Sequence, residues 1–141
     1  MNKPAKSISQ HEALIYAMVT LSAADRTMTD GELMKIGEIV RTMPIFRGFD
    51  PERLVASAEA CGAVLQNDNG LDQMLDIIGA TLPQRLYETA YALTVEVAAA
   101  DLHVEQEELR FLQMLRDRLD LDKLAVAAIE RSARVRYRKM M

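Results

Sequence analysis

The chain has 141 residues, 50% of them hydrophobic and only 5% aromatic, with nine methionines, a net charge of −4 and a pI near 5.2. That length suits one domain, or two small repeats sharing a core, and the acidic balance argues against a nucleic-acid binder. A single cysteine, Cys61, excludes an intramolecular disulfide and a cysteine-based zinc site.

Residues 1–8 are expected to be a flexible N-terminus, because the stretch around Lys3 and Lys6 lacks the apolar core of a secretory signal. Ser9, with Glu12 three residues on, forms a capping-box pattern that opens the first helix. Leu14, Met18 and Leu21 give its stripe, widened by Ile15, Ala17 and Ser22, to an end near Ala24. An acidic turn, Asp25–Met28, follows. Thr29 and Glu32 repeat the capping-box spacing at the start of the second helix, whose expected buried face is Leu33, Ile36, Val40 and Met43. Pro44 and Gly48 interrupt the chain. Asp50 as N-cap and Pro51 at the first helical position open the third helix, with Leu54, Ala58, Cys61 and Leu65 on one face.

Asn67-Asp68-Asn69-Gly70 is a turn by composition, since Asn and Gly tolerate positive φ. Leu71, Met74, Leu75, Ile78 and Leu82 mark a fourth helix before Pro83, so 67–82 reads as a connecting segment. The fifth helix is predicted from about Pro83 to Ala100, along Leu86, Ala90, Leu93 and Val97. A second acidic turn, Asp101–Val104, leads into a sixth helix carrying Leu109, Leu112, Leu115 and Leu119. Asp120 mirrors Asp50, and a seventh helix has Leu124, Ala127, Ala128 and Arg131 along one side. Nothing alternates with the period of a strand. The predicted fold is all-α, about seven helices, in one domain over 9–136. Its two related helix–acidic turn–helix halves cover about 9–66 and 83–133, and 137–141 form a basic tail. The longest weakly polar run, Tyr91 to Ala100, is too short to span a membrane and carries Glu96. The expectation is a cytoplasmic protein without a transmembrane segment.

The two turns share a pattern. Ala23, Ala24, Asp25, Glu32 and Leu33 recur in the same order and spacing as Ala99, Ala100, Asp101, Glu108 and Leu109. Glu12 and Val19 likewise match Glu88 and Val95. Beyond the second helix the spacing shortens, so that Asp50 and Leu54 answer Asp120 and Leu124. The extra residues fall around Pro44–Phe49, where a loop insertion costs little.

Carboxylates converging from a turn and the adjoining helix suit Ca²⁺, Mg²⁺ or Mn²⁺ better than Zn²⁺. The first turn offers Asp25, Asp30 and Glu32. The second offers Asp101, Glu105 and Glu108, with His103 and Glu107 as additional candidates. The spacing is not that of an EF-hand: the twelfth position counted from Asp25 is Ile36, from Asp101 it is Leu112, and neither turn has a sixth-position glycine. Capping and the helix macrodipole offer a structural reading of Asp30, Glu32, Glu107 and Glu108. Asp25 and Asp101 fit that reading less well, because each stands where a helix ends and a carboxylate meets the negative end of the dipole.

The doubled Ala-Ala-Asp-x₆-Glu-Leu pattern between amphipathic helices resembles the TerB-like family, associated with tellurite resistance and stress response. The resemblance covers roughly Gln10 to Ala133. It implies an all-helical fold with acidic residues clustered as a cation site, Asp25 and Glu32 in one half and Asp101 and Glu108 in the other. This chain departs from the family's common Ala-Asp-Gly at Arg26 and at Leu102-His103. The family name describes a phenotype, so tellurium chemistry does not follow from it.

No Gly-rich phosphate loop, G-x-S-x-G or H-E-x-x-H motif is present, so neither an enzyme nor an organic cofactor is expected. Cys61, on an apolar helix face, reads as core rather than nucleophile. Arg131, Arg134, Arg136, Arg138 and Lys139 form the only basic concentration. They read either as cations at a helix end followed by a solvated tail, or as a weak contact through 131–139 for anionic lipid or an acidic partner. The expected whole is a non-enzymatic, divalent-cation-binding module with a protein partner. The alternative is an interaction module that uses the same acidic face without metal.

Overall fold

A computed structural model describes residues 8–24, 28–100 and 105–140. Residues 1–7 of the expected flexible start (1–8) and the turn residues Asp25, Asp101 and His103 lie outside the described residues. Seven helices and no strand occur among the described residues: α1 (Gln10–Ala23), α2 (Asp30–Thr42), α3 (Leu54–Leu65), α4 (Gly70–Thr81), α5 (Tyr87–Ala100), α6 (Gln106–Leu119) and α7 (Lys123–Arg136). Short 3₁₀ turns at Pro44–Phe46, Pro51–Arg53 and Gln84–Leu86 precede α3 and α5. The all-α expectation holds. The predicted helix starts at Pro51 and Pro83 instead open with 3₁₀ turns, Pro51–Arg53 and Gln84–Leu86, that run directly into α3 and α5.

Two helices form the centre. Every residue of α1 from Ala13 to Ser22 is buried, as is every residue of α5 from Leu93 to Ala98. Both are apolar all round rather than striped, which is the pattern of a helix enclosed by others. They pack on each other; α2, α3, α4 and α6 close around α1, while α2, α6 and α7 close around α5. Cys61 lies in this core with its Sγ 3.4 Å from Thr20 Oγ1. Burial pushes its thiol up to about 11, so it is no nucleophile at neutral pH.

The outer helices correct several sequence expectations. In α2 the buried residues are Glu32, Ile36, Gly37, Ile39 and Val40, while Leu33 and Met43 face outward. In α6 they are Glu108, Phe111, Leu112, Leu115 and Leu119, and Leu109 is exposed. The side of α7 carrying Leu124, Ala127, Ala128 and Arg131 is the outer one; Val126, Ile129 and Ala133 pack inward. Asp120 does not cap α7. It ends α6 in the left-handed region at φ 50°, which Asp tolerates, and Asp122 accepts the Ala125 amide at 3.1 Å instead.

Gly70 is required for room rather than for φ. A Cβ there would lie 2.5 Å from the Val64 carbonyl oxygen and 2.6 Å from that of Leu65, which lets α4 start directly beneath the end of α3.

Candidate functional site

Both acidic turns lead into helices through the same local device. Thr29 Oγ1 accepts the Glu32 amide at 3.1 Å, and Glu32 Oε1 accepts the Thr29 amide at 3.0 Å. In the second turn Glu105 takes the place of Thr29: its amide donates to Glu108 Oε1 at 3.0 Å, and the box closes from both sides. A carboxylate serving as N-cap also complements the positive end of the α6 dipole. These boxes bear out the structural reading of Glu32 and Glu108, and they fix which carboxylate oxygen faces the backbone.

Capping does not account for depth. Glu32 is 2% exposed and Glu108 0% exposed, whereas Asp30, Glu105 and Glu107 are exposed. Most capping glutamates lie at the surface, where water satisfies the second oxygen. Here Glu32 Oε2 is buried and has no hydrogen-bond partner among the described residues. Ser22 Oγ, on the other side of the first turn, is in the same condition. Buried polar atoms in native proteins are normally paired, and a buried carboxylate oxygen without a donor is costly unless a cation meets it. A hard divalent cation therefore fits the donor chemistry at the first turn.

Of the sequence-predicted ligands, Glu105 and Glu108 are brought together by the capping box of α6. Glu32 meets Thr29 instead; among the described residues no group of three or more His, Cys, Asp or Glu is arranged to hold an ion. Asp25, Asp101 and His103 would have to complete either set, and they lie outside the described residues.

Glu96, which the sequence shows only as a charge inside an apolar run, is held by a network that the sequence does not reveal. Glu96 of α5 is 8% exposed and accepts from Arg136 Nη1 at 3.0 Å and Nη2 at 2.6 Å, and from Tyr137 Oη at 2.6 Å. Lys35 Nζ of α2 stands 3.6 Å from it. Burial alone would raise the Glu96 carboxyl, but the Arg136 and Tyr137 hydrogen bonds and the charges of Arg136 and Lys35 hold it below its ordinary range. Glu32 precedes Lys35 by three residues and Ala100 follows Glu96 by four, so the start of α2 and the end of α5 flank one ion pair within about one helical turn, ~5.4 Å. Arg136 and Tyr137 are thus tied to the core rather than beginning a solvated tail. The only sequence hint was an acidic residue inside an apolar helix.

No helix among the described residues is long and apolar enough to cross a membrane. No curated protein and no solved structure shows significant similarity to the chain. The family described as tellurite resistance protein TerB does: its model matches residues 11–134, which span both acidic turns, all seven helices up to the last turn of α7, and the buried Glu32, Glu96 and Glu108. The chain belongs to the TerB family.

Proposed function

We propose that this protein is a non-enzymatic, cation-responsive helical module of cytoplasmic stress response, with ligands drawn from the two acidic turns. Asp25, Asp30 and Glu32 serve the first site and Asp101, Glu105 and Glu108 the second, with His103 and Glu107 as further donors. The ion is Ca²⁺, Mg²⁺ or Mn²⁺, since the donors are hard oxygens. One observation carries this reading: the buried Glu32 Oε2 without a donor among the described residues. A bound cation supplies the missing charge there. It also relieves repulsion among the carboxylates, and because the Lys35–Glu96 pair lies beside both turns, it tightens the packing of α2 on α5. A protein partner then reads the tightened state.

The test is thermal unfolding of metal-free protein with and without millimolar Ca²⁺ or Mn²⁺. A rise in Tm that Asp25→Asn and Asp101→Asn abolish supports the reading; an unchanged Tm in both ions sinks it. A second reading rests on the exposure of Asp30, Glu105 and Glu107, which form an acidic face for a basic partner without metal. Partner capture that survives chelator and fails in high salt would favour it.

A further inference from the structure

Helices α6 and α7 both pack on α5 and are tied to each other by the Arg116–Glu130 ion pair. They therefore wall a trough of about 940 Å³ with α5 as its floor. Val95, Ala98, Leu112 and Ala133 form the base, and Leu109 stands 55% exposed on one wall. One end is closed where Tyr91 Oη donates to Glu130 Oε2 at 2.5 Å and Arg116 donates to the same oxygen at 2.8 Å. Charge along the walls runs against that of the whole chain. Arg110 of α6, Arg134 of α7 and Arg138 just beyond it line the trough with no ion-pair partner among the described residues, in a protein of net charge −4. The one carboxylate in the lining, Glu130, is already engaged by Arg116 and Tyr91.

We propose that this trough is a docking site for an amphipathic helix of a partner protein whose apolar stripe is flanked by Asp or Glu. Arg110 and Gln113, and Glu130, Arg134 and Arg138, recur along their walls at intervals of three or four residues. That is the repeat with which a docked helix presents its flanking side chains. From Gln106 to Arg116 the α6 wall runs about 15 Å, room for about ten helical residues. An acyl chain fits less well, because the base is nearly buried already and the trough is open; the exposed apolar contact is Leu109, a single anchor. The arginines supply steering and register, and Leu109 meets the stripe. This inference does not depend on the cation reading.

The experiment titrates the full chain, in chelator, into a fluorescein-labelled helical peptide of about fifteen residues with leucines on one face and glutamates flanking them. Comparison peptides carry lysine in place of glutamate, or the same residues scrambled so that no face forms. The expected result is saturable anisotropy, at least about tenfold weaker binding of either comparison peptide, and a similar loss in Arg110→Glu/Arg134→Glu and in Leu109→Ser. All three substituted positions are exposed, so circular dichroism should be unaltered. Equal binding of the scrambled peptide, retained binding by the variants, or no binding up to millimolar protein overturns the proposal. So does capture by phosphatidylserine vesicles, or self-association of the chain, if the same variants abolish it.

Discussion

Glu32 is 2% exposed while its neighbour Leu33 is 46% exposed. The same inversion recurs at Glu108, 0% exposed, and Leu109, 55% exposed. In both helices the first turn sends the carboxylate inward and the leucine out, against the transfer preference of each side chain. The capping boxes dictate this: once Glu32 Oε1 accepts the Thr29 amide, the helix is rotated so that Ile36 and Val40, not Leu33, follow Glu32 into the core. Leu33→Ser and Leu109→Ser should therefore change unfolding free energy in urea by no more than about 0.5 kcal/mol. Ile36→Ala should cost about 2–5 kcal/mol, as for any fully buried aliphatic.

The cap and the charge of Glu32 can be separated. Glu32→Ala loses the cap and should cost about 1 kcal/mol in metal-free protein. Glu32→Gln keeps an acceptor for the Thr29 amide and removes a buried charge, so metal-free stability should be retained. What the Gln variant should lose is stabilisation by added cation. Melting curves in chelator and in Ca²⁺, on both variants, check the two effects independently.

Glu96 sets an acid limit. Its carboxyl is held below its unfolded value near 4.5, so its contribution to stability is complete above about pH 4.5 and is lost as pH falls through the folded value. Below that point Arg136 and Tyr137 should release from α5, seen as faster amide exchange over the last turn of α7. Glu96→Gln should remove this part of the pH dependence and cost about 1–2 kcal/mol at neutral pH, a figure reduced because Arg136 is half exposed. On the alkaline side burial, then the bond to Glu130, pushes Tyr91 up to about 12 from 10.0, so stability should fall between those values as the unfolded chain ionises first.

Gly70→Ala should destabilise by about 1–3 kcal/mol, because the new methyl meets backbone oxygens of Val64 and Leu65 that cannot swing aside. Gly62→Ala, where nothing lies within 4 Å, should be neutral or stabilising. Urea unfolding of the pair separates crowding from helix propensity.

Features written in local chemistry were legible in the sequence. Ser9 with Glu12 and Thr29 with Glu32 form the boxes their spacing predicted, because a capping box is closed within four residues. The buried faces of α2 and α6 were misassigned because hydrophobic periodicity counts Leu33 and Leu109 as core and glutamate as surface. The analogy of Asp120 with Asp50 points to a cap, but Asp122, two residues later, takes that role. The Glu96–Arg136 tie joins residues forty apart, which no local pattern encodes.

The central claim is that the two turns hold a divalent cation. An amide NMR titration of metal-free protein with Ca²⁺, Mg²⁺, Mn²⁺ and Zn²⁺ tests it most directly. The account predicts shifts, or Mn²⁺ broadening, concentrated at Asp25–Glu32 and Asp101–Glu108, spreading to Lys35 and Glu96, and absent from Glu32→Gln at the first turn. Undisturbed resonances at both turns in millimolar concentrations of every ion would contradict it and leave the two carboxylates as caps alone.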